Sequence, residues 1–149
     1  MKILYVEDDR QYAELIEAML NEAEVVPLGN VIWAATVAEA KLKLLEHTDF
    51  DVMLLDLGLP DSKGVDTLES LVNGVPVIVF TGNMDREMIK KAASFGVRDY
   101  LIKAKTTGTD IVRSLLRANE DSQRLRRFSR AIASVNAAMQ GVVERAALL

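Results

Sequence analysis

The stretch DVMLLDLGLPDSKG, residues 51–64, runs from apolar residues into Asp56 and then into a segment rich in turn-forming residues. A short apolar run bounded by turn signals predicts a buried strand, here over 51–55. In an open parallel sheet, ligands bind in the crevice beyond the carboxyl ends of the strands. Asp56, the first residue after this strand, is therefore predicted to lie at a functional edge of a sheet.

The same alternation of strand and helix signals continues on both sides of this stretch. Further strands are predicted at 2–6, 31–35, 76–80 and 97–102. Apolar residues at helical spacing predict helices over 10–20, from Thr36, over 65–72, over 84–95 and from Thr109 to the end. The strands are almost continuously apolar, which is typical of a parallel sheet buried on both faces. The prediction is a three-layer α/β domain: a five-stranded, doubly wound parallel sheet with an extended C-terminal helix.

Composition limits the classes of protein that need to be considered. The chain has 149 residues, no cysteine and a formal net charge of −4. No apolar run has the length of about 18 residues that a membrane span requires, and no signal peptide is recognisable, so we expect a cytoplasmic protein without membrane contact. The Arg residues between 124 and 130 are interpreted as a solvated helix face, and no direct nucleic-acid binding is expected.

Polar residues follow four of the predicted strands. Glu7, Asp8 and Asp9 come after the first strand, Asp56 after the third, Thr81 after the fourth and Lys103 after the fifth. Clustered carboxylates raise the cost of ionising one another, and oxygen ligands suit Mg²⁺. We therefore expect an Mg²⁺ site, with Asp8 and Asp56 as direct ligands.

The same residue set predicts phosphoryl chemistry. Phosphoryl transfer needs an in-line nucleophile, neutralisation of charge and oriented donors. Asp56 can be the nucleophile, as carboxylates are in aspartyl-phosphate enzymes. Lys103 can pair with one phosphoryl oxygen, and the Thr81 hydroxyl can donate to another. The expected site forms and holds an acyl phosphate.

Four ordered segments carry a resemblance to a known family. The segments ILYVEDD, DVMLLDLGLPDSKG, PVIVFTG and GVRDYLIK resemble the receiver domain of two-component response regulators over about residues 2–120. The resemblance implies a flavodoxin-like fold, Mg²⁺ as the cofactor, and a sensor histidine kinase or phosphotransfer protein as the phosphoryl donor. It implies a regulatory phosphoacceptor, which catalyses only its own phosphorylation and dephosphorylation.

The resemblance also assigns roles to single positions. Asp56 matches the phosphoacceptor, with Thr81 and Lys103 as its catalytic partners. The implied metal ligands are Glu7, Asp8, Asp56 and the backbone carbonyl of Gly58. The implied phosphoryl-binding residues are Gly82, which leaves the acyl phosphate open to water, and Lys103. The implied switch residues are Thr81 and Tyr100, which would remodel the surface of the fourth helix, fifth strand and fifth helix.

One departure from the family pattern and three alternative functions accompany this interpretation. Ala104 stands where the family usually has proline, so we expect a trans peptide bond and an altered loop there. A haloacid dehalogenase-type phosphatase needs a second aspartate where Gly58 stands. A flavin-binding flavodoxin needs a phosphate loop rich in Ser, Thr and Gly where Glu7 begins an acidic run. A phosphorylation-independent interaction module of the same fold stays open as the alternative.

The C-terminal segment differs from the rest of the chain. Residues 1–109 carry 11 Lys/Arg against 18 Asp/Glu, whereas residues 110–149 carry 7 against 4. Apolar residues of the last helix recur in steps of three and four at 111, 115, 118, 125, 128, 132, 135, 139, 142, 146 and 149, with polar Ser122 inside the series and a break between Leu125 and Phe128. We expect packing on the sheet to end near Asn119.

We therefore divide the chain into a receiver domain, 1–120, and a helical linker, 121–149. The helix over 110–149 is expected to join two copies of the chain as a parallel coiled coil and to be the output element that phosphorylation of Asp56 switches. The alternative is that it folds back on its own domain. Residues 128–149 resemble the opening helix of a GAF-type sensor domain, so we expect the N-terminal part of a larger signalling protein whose output or sensor domain starts here.

Overall fold

The computed structural model describes residues 1–83 and 85–148. Met84, the predicted start of the fourth helix, and Leu149, the last residue of the apolar series, lie outside the described residues. The main sheet contains β1 (Ile3–Val6), β2 (Val31–Ala34), β3 (Val52–Leu55), β4 (Val77–Thr81) and β5 (Asp99–Ile102). The helices are α1 (Arg10–Glu22), α2 (Val37–Glu46), α3 (Val65–Leu71), α4 (Arg86–Ser94) and α5 (Gly108–Ala147).

The sheet is parallel throughout, with the strand order β2-β1-β3-β4-β5. This is the order of flavodoxin-like folds, whose ligands bind where the winding reverses, between β1 and β3. Residues of α2, α3 and α4, such as Ala40, Leu68 and Ala92, are buried on one face of the sheet. Residues of α1 and α5, such as Leu20 and Leu115, are buried on the other. The predicted three-layer fold is confirmed.

Side chains at the helix starts explain where the helices begin. The Thr36 hydroxyl accepts a hydrogen bond from the Glu39 N–H at 3.1 Å, at the residue where the helix is predicted to begin. Asp9 caps α1 in the same way by accepting from the Tyr12 N–H at 3.1 Å. Asp9 therefore stabilises a helix, and its carboxylate is not part of the acidic cluster described below.

The segment after Asp56, predicted only as a loop, forms a short antiparallel hairpin. Residues Gly58–Leu59 pair with Ser62–Lys63, and the Leu59 side chain is buried. The chain then turns into α3 through Gly64, whose φ of 61° is easily reached without a side chain. The hairpin therefore fixes the backbone immediately beyond Asp56.

The β5–α5 connection contains a 3₁₀ turn over Lys103–Lys105. There is no cis peptide bond among the described residues, so the bond before Ala104 is trans, as expected. Lys103 thus lies at the end of β5 and at the start of this turn.

α5 contacts the domain for longer than predicted. Ser122 is buried, and the Gln123 amide donates to Asp51 Oδ1 at 3.1 Å. Arg126 Nη1 lies 2.8 Å from the same oxygen. Packing continues past Asn119 because Asp51, at the amino end of β3, presents a buried carboxylate to α5.

After Arg126, the described residues of α5 are exposed except for half-buried Gly141. The exposed residues include the apolar side chains Phe128, Ile132, Val135, Met139 and Val142. Among the described residues, no helix combines the length and the apolar content needed to cross a membrane.

Candidate functional site

Four strands deliver the predicted site residues to one edge of the sheet. Glu7 follows β1, Asp56 follows β3, Thr81 ends β4 and Lys103 follows β5. Parallel strands end at the same edge, so these side chains converge although they are far apart in sequence. The structure brings all four into direct hydrogen-bond contact with at least one other member of the set.

Asp56 is the centre of this contact network. Its carboxylate is buried, with 6% of the residue exposed. Oδ1 accepts hydrogen bonds from the Thr81 hydroxyl at 2.8 Å and from the Gly58 N–H at 3.0 Å. Oδ2 accepts from Lys103 Nζ at 3.1 Å. Burial raises the pKa of Asp56, but the neighbouring Glu7, the hydrogen bonds from Gly58 and Thr81 and the Lys103 charge more than offset it and hold that pKa below its usual value.

Lys103 bridges the two buried acids. Its ammonium group lies 2.6 Å from Glu7 Oε1 and 3.1 Å from Asp56 Oδ2. Burial alone would lower the pKa of this lysine, but the two carboxylates raise it above its usual value. The group is therefore a permanent cation beside the Asp56 carboxylate, which is the charge that a phosphoryl oxygen would meet.

Glu7 has a buried oxygen that is left without a partner. The residue is 1% exposed, and Oε2 makes no hydrogen bond with the described residues, whereas Oε1 contacts Lys103. Burial has the largest effect on Glu7, and the neighbouring Asp56 adds to it. Together they raise the pKa of Glu7 to about 8, although Lys103 opposes them. A buried oxygen without a partner costs free energy and indicates that a ligand belongs there.

The donor set fits a hard divalent cation. Glu7, Asp8 and Asp56 each offer a carboxylate oxygen, and these oxygens lie within 4.8 Å of one another. Asp8 is exposed, so the cluster opens to solvent on one side. Oxygen donors, one of them without a partner, and an open side match the preference of Mg²⁺ for few carboxylates and several waters.

A cavity of about 580 Å³ adjoins the Asp56 carboxylate. Gly82, predicted to border the phosphoryl group, lines it, and a Cβ atom added to Gly82 would meet nothing within 4 Å. Asn83, Met88 and Lys63 also line the cavity. The sequence interpretation missed these three. Proximity to Thr81 in sequence is a signal for Asn83, but nothing in the sequence indicates the hairpin that carries Lys63.

Two aromatic residues approach the site without having been predicted to do so. The Trp33 indole N–H donates to the Glu7 carbonyl oxygen at 2.7 Å. The ring of Tyr12 lies 4.6 Å from Lys103 Nζ. Their approach depends on how β2 and α1 are placed against the sheet.

Tyr100 lies outside this network. It occupies β5 opposite Val79 of β4, is half-buried, and packs against the core on the α2–α4 face of the sheet. It also lines a groove of about 320 Å³ between β5 and the start of α5. This position leaves the switch role of Tyr100 as a prediction.

Comparison with known proteins adds three findings. A family model described as the response regulator receiver domain matches residues 3–117. The cell cycle transcriptional regulator CtrA of Caulobacter vibrioides is 32% identical over 107 residues, which cover 69% of this chain and 44% of that protein. The chain therefore spans less than half the length of this relative.

Solved structures show the same similarity. A response regulator receiver domain protein from Clostridium thermocellum is 25% identical, with a TM-score of 0.71 over 83% of this chain and 98% of that one. A CheY-like receiver domain protein from Methanospirillum hungatei is also 25% identical, with a TM-score of 0.70 over 83% of this chain and 96% of that one.

Proposed function

Since this chain belongs to the response regulator receiver family, whose members are regulatory phosphoacceptors of two-component systems, we propose that Asp56 is its phosphoacceptor. The donor is the phosphohistidine of a sensor histidine kinase or phosphotransfer protein. The observation that carries the proposal is the Asp56 carboxylate, buried yet ionised, between the Thr81 hydroxyl and the Lys103 ammonium.

The residues of the site divide the chemistry between them. An oxygen of Asp56 attacks the phosphorus atom, the new O–P bond forms, and the P–N bond to the imidazole breaks. Lys103 neutralises charge on a phosphoryl oxygen, and the Thr81 hydroxyl and the Gly82 backbone are placed beside the cavity to contact others. To contact the phosphoryl group, the Thr81 hydroxyl gives up its hydrogen bond to Asp56. Tyr100 then turns inward, which remodels the surface of α4, β5 and α5.

Magnesium is the proposed cofactor. Glu7, Asp8, Asp56 and the Gly58 carbonyl would hold it, which would give the unpartnered Glu7 Oε2 a ligand. Bound there, the ion supplies charge neutralisation for the transferred group.

Intact-mass measurement with acetyl phosphate tests this proposal. We expect Mg²⁺-dependent addition of one phosphoryl group to the full chain, none in EDTA and none in Asp56→Asn. Asp66→Asn removes an exposed carboxylate of α3 and should label like the parent. Equal labelling of Asp56→Asn and the parent would contradict the proposal. Absence of labelling in the parent would favour a phosphorylation-independent interaction module.

We further propose that α5 forms a parallel coiled coil with a second copy of this chain. Its 40 residues extend about 60 Å at 1.5 Å per residue. The exposed apolar residues from Phe128 to Val142 recur in alternating steps of four and three, the spacing of a heptad seam. A second copy presents the same spacing, so two such stripes can bury one another along their length.

Sedimentation velocity distinguishes a dimer from a monomer. Replacing Ile132 and Met139 with Asp places two negative charges in the seam. Replacing Ala133 and Ala137 with Asp adds the same charges to the same helix outside the apolar series. We expect the parent and the Ala133→Asp, Ala137→Asp variant to be dimers at tens of micromolar and the Ile132→Asp, Met139→Asp variant to be a monomer. A monomeric parent, with and without beryllofluoride, would rule out this dimer.

A further inference from the structure

The ammonium group of Lys103 has aromatic as well as acidic neighbours. Its Nζ atom lies 4.6 Å from the ring centroid of Tyr12 and 5.9 Å from that of Phe80. Both distances are within the range of cation–π attraction, which is about 6 Å. The two rings also contact each other, with centroids 5.9 Å apart and planes inclined at 38°. Two rings and two carboxylates thus surround one cation.

The two rings are held by different parts of the fold. Phe80 is 1% exposed and belongs to β4, so the sheet fixes it. Tyr12 is half-buried and lies in the first turn of α1, where its N–H donates to the capping Asp9 carboxylate at 3.1 Å. The cap that starts α1 therefore also holds the backbone that carries the Tyr12 ring.

A ring face suits a lysine that must change partners. The lysine stem has four carbons and loses much rotamer freedom when its head is held in one place. Carboxylates hold an ammonium through its N–H donors, and those are the groups that an incoming phosphoryl oxygen needs. A π-face attracts the positive charge without requiring one particular donor direction. It can thus retain the cation while the N–H groups turn from Glu7 and Asp56 to a new acceptor.

We infer that Tyr12 is a positioning residue, whose ring face keeps the Lys103 ammonium beside Asp56 and available to the phosphoryl group. This inference rests on the proposed function of Asp56. The aromatic ring carries the effect, so phenylalanine should replace tyrosine, and an aliphatic side chain of similar bulk should not.

Two measurements on the full chain test the inference. The first is the rate at which an amine-reactive ester modifies Lys103, quantified by peptide mass spectrometry. The second is the affinity for beryllofluoride in the presence of Mg²⁺. It is monitored by the fluorescence of Trp33, whose indole N–H is hydrogen-bonded to the Glu7 carbonyl oxygen. Tyr12→Phe should match the parent in both. Tyr12→Leu should raise the modification rate and weaken beryllofluoride binding, each by roughly three- to tenfold.

Each other outcome has a definite meaning. If Tyr12→Leu matches the parent in both measurements, or if Tyr12→Phe is as impaired as Tyr12→Leu, the inference is wrong. Weaker beryllofluoride binding without a change in Lys103 modification would mean that Tyr12 acts through packing, which also overturns it. If the parent binds no beryllofluoride while Tyr12→Leu still raises Lys103 modification, the proposed function has failed, and with it a role of Tyr12 in phosphoryl binding.

Discussion

The two halves of α5 belong to one unbroken helix but have different surroundings. In the receiver half, residues 108–126, Ile111, Leu115 and Ala118 are buried against the sheet. In the free half, residues 127–147, none of the described residues is buried. Tertiary packing supplies most of the stability of protein helices. The receiver half therefore belongs to the cooperative core of the domain, and the free half depends on helix propensity or on a partner.

The change in surroundings explains the break in the apolar series. The step from Leu125 to Phe128 is three residues and follows another step of three from Ser122. Because each residue turns a helix by about 100°, consecutive steps of three shift the apolar stripe around the helix. The shift occurs where Arg126 makes the last hydrogen bonds to the domain. We attribute the break to this change of partner.

The largest expected contrast between the halves is in core packing. Leu115→Ala should lower the free energy of unfolding by about 2–5 kcal/mol, because Leu115 is completely buried. Met139→Ala should change it by less than about 0.5 kcal/mol, because the side chain is 56% exposed. Urea unfolding at low micromolar concentration measures both. Equal losses in the monomer would show that the free half packs on the domain, whereas a loss in Met139→Ala that grows with protein concentration would reflect the proposed dimer.

A smaller effect is expected at the border between the halves. Arg126 Nη1 pairs with the buried Asp51 carboxylate, and Nη2 donates to the carbonyl oxygens of Asp49 and Phe50 at 3.1 and 3.2 Å. Arg126→Ala should cost about 1–2 kcal/mol, because Asp51 loses a charged partner but keeps the Lys2 N–H and the Gln123 amide. The exposed Arg127, changed to Ala, is the matched control. Equal urea midpoints for the two variants would show that the contacts of Arg126 do not stabilise the domain, and that the receiver half ends before Arg126.

The smallest effect concerns the start of α5 and depends on pH. The Thr107 N–H and hydroxyl both contact Asp110, and these contacts hold the pKa of Asp110 below its usual value. Because the folded-state pKa is depressed, this stabilisation is present above pH 3.8 and is lost as the pH falls through the lower, folded-state value. The stability advantage of the parent over Asp110→Asn should therefore shrink as the pH falls below about 4. An advantage that is constant with pH would mean that the charge of Asp110 is not involved.

Much of the fold and the centre of the site could be predicted from sequence because they depend on local patterns. The apolar run before Asp56 and the turn signals after it specify a strand end wherever the strand lies in the sheet. Once parallel strands are predicted, Glu7, Thr81 and Lys103 are brought to the same edge by the fold itself. The structure shows the resulting contacts: Thr81 and Lys103 bind Asp56, and Glu7 binds Lys103.

The features that escaped prediction depend on how separate elements meet. The approach of Tyr12 to Lys103 depends on the position of α1 relative to β5. Asp51 gives no sequence signal as a partner of α5, because an acid before a strand is also common at a surface turn. The hairpin after Asp56 was hidden because two-residue strands leave no alternating pattern to recognise.

No turn separates the two halves of α5, so the number of residues between them determines the direction in which the apolar stripe of the free half faces. One residue inserted after Arg126 would rotate the following stripe by about 100° and displace it by about 1.5 Å. Seven inserted residues would return the stripe to within about 20° of its present direction. Among relatives that keep this helix continuous, insertions and deletions at this point should therefore favour lengths of about seven, eleven or eighteen residues, which turn the stripe by no more than about 20°.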